Sequence, residues 1–422
     1  MTTTKTIPSV IILGAGVSGI FAAKALKEAG INDVTVLEGR ADVIGGRLHK
    51  AEFPPGSGRY VEIGGNWIEG LGNKGDENPV MPLAQKYNMV YTATDFTNTT
   101  YRGQDGSSDQ TIFKERLEVF TNMFDSVCTI AEERTKKDLL DVSLRTAYRI
   151  AGWNPDNELD NSIEWNSFDY EQAETPDVSS FEYTADLKTF TNFGEDSDFI
   201  ADQRGYQHIV EEEAKALGLG YGSDRLLLNK VVTEIVWAEG TSATDSAMSL
   251  QLDLPIEKQS RVTVKCKDGS SYTADYVICS FSLGVLQNHD VKFTPTLPSW
   301  KLQAINQFHM ATYTKIFIAF PHKFWPDETE FIWYGADRRG EYSNWHNLEA
   351  KAYKPYFPHD HVLLCTVTDQ VAFRIERQSD KATQKEMMAV LRNMYGQDIP
   401  EPIAILVPRW NHDPLFRGTF SN

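Results

Sequence analysis

The sequence predicts a mixed α/β (α+β) fold in two parts that interleave along the chain. Three observations carry this expectation. Residues 10–13 (VIIL) run straight into Gly14-Ala15-Gly16-Val17-Ser18-Gly19, a helical stretch follows, and a second apolar run, residues 34–37, ends at Glu38. Residues 95–195 then turn polar and helical, without further glycine punctuation. Short β-rich runs return after residue 202, and a long apolar strand pattern appears at residues 313–320. The first observation is a complete βαβ unit of Rossmann type. With 422 residues the chain also exceeds what one core usually supports.

The glycine loop is specific because four conditions coincide. A strand precedes it, and a helix with small residues Ala22, Ala23 and Ala25 follows. A second strand comes next, and an acid ends that strand about 20 residues past the loop. Gly14, Gly16 and Gly19 let the backbone approach a pyrophosphate, with Ala15 and Ser18 between them, and the helix start offers N–H groups. Glu38 is placed to accept hydrogen bonds from a ribose, and its charge disfavours a 2′-phosphate. Gly45-Gly46-Arg47 supplies a second close backbone approach and a cation.

The remaining pattern is coarser. A helix is expected over residues 113–137, a loop over the Asp/Asn/Pro-rich residues 154–161, and strands at 226–228 and 231–236. The runs 262–266 and 276–280 flank Lys267-Asp268-Gly269 and predict a hairpin, while 241–245 reads as a polar insert. A helix is expected at 380–395 and a last strand at 404–408.

Composition narrows the function classes. Fifty-nine acidic against 41 basic residues give a net charge of −18, which repels nucleic acid and anionic membranes and favours cations. Cys128, Cys266, Cys279 and Cys365 are far apart, with no C-x-x-C pair and no metal spacing, so they read as thiols in a reducing compartment. No metal site is expected. No run reaches the ~18 apolar residues of a membrane span. A cytoplasmic, intracellular location is expected, with a peroxisomal one left open.

From residue 37 onward the chain resembles the FAD-dependent amine oxidases, and most closely their polyamine oxidase branch. Residues 37–50 (LEGRADVIGGRLHK) and 61–70 (VEIGGNWIEG) carry the resemblance first. It continues at 168–174 (FDYEQAE), 201–206 (ADQRGY), 228–232 (LNKVV) and 282–287 (SLGVLQ). It extends through 313–317 (YTKIF), 323–326 (KFWP), 406–410 (LVPRW) and 417–422 (RGTFSN). It implies a non-covalently held FAD contacted by the glycine loop, Glu38, Gly45, Gly46, Arg47, Asn66, Trp67 and the backbone of Val232. It also implies that Lys315 hydrogen-bonds through a water to flavin N5, and that Glu69 and Glu171 line a tunnel gripping a cationic polyamine. Tyr313 and Phe420 match aromatic positions near the flavin. The implied reaction oxidises a secondary amine, with dioxygen as the final acceptor and hydrogen peroxide as a product.

Read without the resemblance, these residues leave alternatives open. Glu69 and Glu171 are each compatible with a solvated acid, and Lys315 with an exposed strand lysine. Tyr313 and Phe420 are compatible with core packing, the role expected for Trp325 and Trp333. The expected FAD-binding domain is 1–90, 195–297 and 411–422, and the substrate-binding domain is 91–194 and 298–410. The resembling family continues beyond RGTFSN with segments that complete the cofactor pocket. A shortened homologue that does not retain FAD and acts as a binding or regulatory protein is therefore the second reading of this sequence.

Overall fold

In a computed structural model the chain forms two compact units. The structure describes residues 7–73, 76–184, 193–194, 196–237, 261–357 and 361–421. Unit 1 comprises residues 1–50, 204–310 and 412–421, and unit 2 comprises residues 51–203 and 311–411.

Unit 1 is built on a parallel sheet. Val10–Leu13 lies between Val34–Leu37 and Tyr276–Cys279, and Leu226–Leu227 adds beyond Val34–Leu37. The central strand is buried along its length, as a strand covered on both faces must be. Helix Val17–Glu28 connects the first two strands and packs Ile20 and Ala23 into an apolar cluster with Val36, Val210 and Ala214. A second sheet orders Ser271–Ala274, Val262–Cys266, Val232–Val236 and Lys292–Thr294.

The hairpin expectation needs correction here. Val262–Cys266 pairs with Ser271–Ala274 across the Lys267–Gly269 turn, whereas Tyr276–Cys279 crosses to pair in parallel with Val10–Leu13. Ser271–Ala274 (SYTA) is polar and half-exposed, a weaker strand signal than the apolar Tyr276–Cys279 (YVIC), so apolar pattern alone points to the wrong partner. The insert at 241–245 lies outside the described residues.

Unit 2 combines a helical part with a six-stranded sheet. The sheet order is Ala404–Leu406, Tyr313–Ala319, Val362–Thr368, Asn344–Asn347, Phe331–Tyr334 and Thr99–Arg102. Tyr313–Ala319 and Val362–Thr368 are its longest strands and pair antiparallel over seven residues. Helix Gln110–Lys136 takes the place of the expected 113–137 helix, with Asp109 accepting from the N–H groups of Thr111 and Ile112 at its start. The 154–161 stretch is a loop only in its first half. Asn157 caps a helix, Glu158–Glu164, by accepting from Asp160 N–H. Trp325 is core, as expected, while Trp333 packs against a cluster from its edge.

The unit boundaries differ from the expected domains at four seams, by a single residue, Asn411, at the last of them. Residues 51–90 and 195–203 fall in unit 2, and 298–310 in unit 1. The reason is local pairing: Ser197–Ile200 hydrogen-bonds on one side to Trp67–Glu69 and on the other to Tyr91–Ala93, which ties all three segments together.

Candidate active site

In unit 1 the glycine loop and the second glycine pair form one cradle. Gly14 has φ +97°, and Gly45 and Gly46 have φ +121° and +64°, backbone that favours glycine. Gly45 N–H donates to Ala15 O at 3.0 Å. A Cβ at Gly19 would lie 2.0 Å from Gly14 O, so the helix can approach the loop only without a side chain there. Helix Val17–Glu28 starts at Gly16 without a side-chain cap, which leaves its first N–H groups for an anion. Ser18 is exposed on that first turn.

Glu38 ends the second strand, as expected, and its carboxylate accepts from Ala15 N–H and Arg40 N–H, each at 2.8 Å. Burial raises its pKa, against the lowering effect of these bonds. Lys230 N–H donates to Glu38 O at 2.7 Å, which sets the segment leading into buried Val232 beside the acid. Arg47 donates to Thr419 O. The next residue, Phe420, is 41% exposed. An uncapped helix start, a glycine cradle and an acid at the strand end fit the pyrophosphate and ribose of a dinucleotide.

Unit 2 brings the other candidates together. Lys315 is buried on the strand Tyr313–Ala319. Its Nζ donates to Gly64 O at 2.5 Å and to Asn66 Oδ1, and sits 5.3 Å from the Trp67 ring and 5.8 Å from the Tyr313 ring. Burial pulls its pKa down to about 7, with Glu62 and Glu69 opposing the fall. The exposed-lysine alternative is thereby excluded. Asn66 and Trp67, expected among the cofactor contacts, lie in this unit around Lys315.

Glu69 follows Trp67 on the strand Trp67–Glu69, and burial raises its pKa while Lys315 lowers it. Glu171 lies on the short helix Tyr170–Gln172, and its pKa is pushed up to about 7 by burial and by the charge of Glu69. Both acids are half-buried, and the charge of Glu69 reaches Glu171. The Tyr170 and Tyr313 rings meet at 5.8 Å between centroids. Burial raises the pKa of both hydroxyls. Lys315, Glu69, Glu171 and Tyr313 thus share one polar cluster in unit 2, whereas Phe420 belongs to unit 1.

Sequence reasoning missed His346. Its ring stacks on Phe331 at 4.5 Å and on Trp67 at 5.9 Å, with Phe199 and Tyr353 edge-on. Neither ring nitrogen has a hydrogen-bond partner among the described residues. Burial and the charge of Lys315 push its pKa down to about 3, so it is a neutral wall behind Trp67. A lone histidine in a strand gives no signal in sequence. Among the described residues, no group of three or more His, Cys, Asp and Glu side chains could hold a metal ion.

Residues 17–422 match the family described as flavin containing amine oxidoreductase, and the chain belongs to that family. Its cofactor is FAD, for which the cradle of unit 1 is suited. Polyamine oxidase 1 of Zea mays is 40% identical over 436 residues, covering 98% of this chain and 80% of that protein. Polyamine oxidase 6 of Oryza sativa subsp. japonica is 41% identical over 429 residues, with the same coverage, 98% and 80%. A solved structure of wild-type putrescine oxidase bound to putrescine shares the fold, with TM-score 0.70, 18% identity, and coverage of 98% of this chain and 88% of that one.

Proposed function

We propose that this protein is a FAD-dependent polyamine oxidase acting on secondary amines of the spermine and spermidine type. The observation that supports it most is Glu171, which feels the charge of Glu69 in the same cluster as buried Lys315. Two half-buried acids grip the ammonium groups of an alkyl polyamine through charge-assisted hydrogen bonds. Unit 1 is the FAD-binding domain in this reading, through Gly14, Ala15, Gly16, Ser18, Gly19, Glu38, Gly45, Gly46, Arg47 and Val232. Unit 2 is the substrate domain.

FAD, held by these unit 1 residues, would supply a two-electron acceptor for the hydride leaving the amine's α-carbon, with dioxygen as the final acceptor and hydrogen peroxide as the product. Glu69 and Glu171 orient the substrate, while the apolar wall of Trp67, His346 and Phe331 excludes water behind it. Lys315, with its pKa near neutrality, holds or releases a proton at Nζ on demand. Tyr313, against Tyr170 in the same cluster, flanks the reacting amine. The substrate departs as an imine, and water splits it into an aldehyde and a shorter amine. Dioxygen and a small cationic amine are the only partners required, and a body of net charge −18 disfavours nucleic acid.

No helix among the described residues is long and apolar enough to cross a membrane. No disulfide joins the four cysteines, which supports an intracellular, reducing location. The test is the visible spectrum of the purified protein together with peroxide release. Flavin absorbance and turnover of spermine or spermidine in preference to a short monoamine are expected. A colourless protein, or equal turnover of both amine classes, refutes the reading.

A further inference from the structure

The acid Glu171 is carried by an unusual piece of helix. Helix Glu158–Glu164 continues through a π-turn, Trp165–Asp169, into Tyr170–Gln172. Tyr170 N–H reaches back to Trp165 O, five residues earlier. Such a turn is intrinsically poor and needs support from outside the helix. The support is electrostatic. Glu164, fully buried just before the turn, accepts from Arg145 Nη1 and Nη2 at 2.7 and 2.6 Å and from Trp153 Nε1 at 2.8 Å. Arg339 Nη1 lies 2.5 Å from Glu164 Oε1. The same guanidinium donates from Nε to Asp169 Oδ2 at 3.3 Å and from Nη2 to Asp169 Oδ1.

One arginine therefore bridges residues five apart, at the two ends of the π-turn. In α winding those residues would stand about 140° apart around the axis. In π winding the five-residue hydrogen bond brings them to one side. The adjoining backbone is moulded to the same turn. Gly340 has φ +73°, and a Cβ there would lie 2.3 Å from Trp165 Nε1. Asn344 Nδ2 also donates to Asn166 Oδ1 inside the turn, at 2.9 Å.

We propose that Arg339 is a positioning residue for substrate binding: by stapling Glu164 to Asp169 it selects the π winding that aims Glu171 and Tyr170 at Glu69 and Tyr313. A relapse to α winding shifts every following residue by about 100° around the axis, which turns Glu171 out of the cluster. This inference rests on the proposed role of Glu171 in gripping a polyamine.

The test compares the flavin-loaded wild type with the double variant Arg339→Met/Asp169→Leu. Replacing a buried ion pair by apolar groups of similar size is commonly tolerated. The expected result is unchanged flavin content, KM for spermidine raised tenfold or more, and kcat within twofold. An unchanged KM in the folded, flavin-loaded double variant overturns the proposal. Arg339→Lys is the gentler arm, because one ammonium cannot hold both acids. A KM rise of about threefold to tenfold is expected, and no rise overturns the proposal even if the double variant fails to fold. If the wild type itself does not oxidise spermidine, the functional reading fails separately. The staple is then read by amide hydrogen exchange over residues 165–171, which must speed up at least tenfold in the variants if Arg339 holds the turn and stays unchanged if it does not.

Discussion

Replacing Lys315 by Met isolates the energetic cost of a buried cation. The pKa of Lys315 falls from its ordinary 10.5 to about 7 because the chain removes its ammonium from water. Between those values the unfolded chain holds the proton and the folded one does not, so folding stability rises with pH through this window. Well below pH 7 the penalty is complete, about 5 kcal/mol; it is about 4 kcal/mol at pH 7 and has shrunk to about 2 kcal/mol by pH 9. The substitution removes that penalty but also removes the donor to Gly64 O and Asn66 Oδ1. Each orphaned acceptor costs about 1–3 kcal/mol, so the two effects nearly cancel at pH 7. The slope is therefore the diagnostic. Equilibrium urea unfolding of wild type and Lys315→Met at pH 7, 8 and 9 should show the variant losing about 2 kcal/mol relative to wild type across the range. A difference that stays constant with pH would refute the buried-cation argument. In the same variant, stopped-flow flavin reduction and reoxidation should slow while the flavin spectrum persists.

Other perturbations test neighbouring parts. Glu171 has a pKa of about 7, so its carboxylate fraction rises roughly tenfold from pH 6 to 8. kcat/KM for spermidine should climb over that range, and Glu171→Gln should flatten the climb and raise KM by 10- to 100-fold, the worth of about 1.5–3 kcal/mol for a bond to a charged group. A short monoamine should be affected far less, and equal losses for both would contradict the grip. Gly19→Ala puts a methyl 2.0 Å from Gly14 O and should yield protein with most of its flavin lost, measured by the 450 nm absorbance per chain. His346→Phe replaces two ring nitrogens lacking partners among the described residues, and should raise the stability by about 1–3 kcal/mol in thermal or urea melts.

The βαβ unit was legible because its signals are local. Strands Val10–Leu13 and Val34–Leu37, the glycines between them and Glu38 all lie within a span that sequence periodicity resolves. The candidate acids were legible only through resemblance, since nothing in an isolated Glu69 or Glu171 distinguishes a gripping acid from a solvated one. What brings Glu171 under the influence of Glu69 is the pairing of Trp67–Glu69 with Ser197–Ile200 and the winding of a helix about 100 residues away, both long-range facts. The π-turn has no sequence signature, because its cause is Arg339, which enters from a distant loop. The hairpin misassignment has the same origin: Tyr276–Cys279 chose a parallel neighbour at the far end of the chain over an adjacent one.

The bond from Gly45 N–H to Ala15 O has a kinetic corollary. It joins the two loops proposed to approach the dinucleotide, so for either to swing away alone costs this bond, about 1 kcal/mol. Opening of the two loops is thereby coupled in the proposed cofactor site. FAD should leave in one cooperative step with a steep temperature dependence, and residual apoprotein should reload in one phase, without a half-bound species in between.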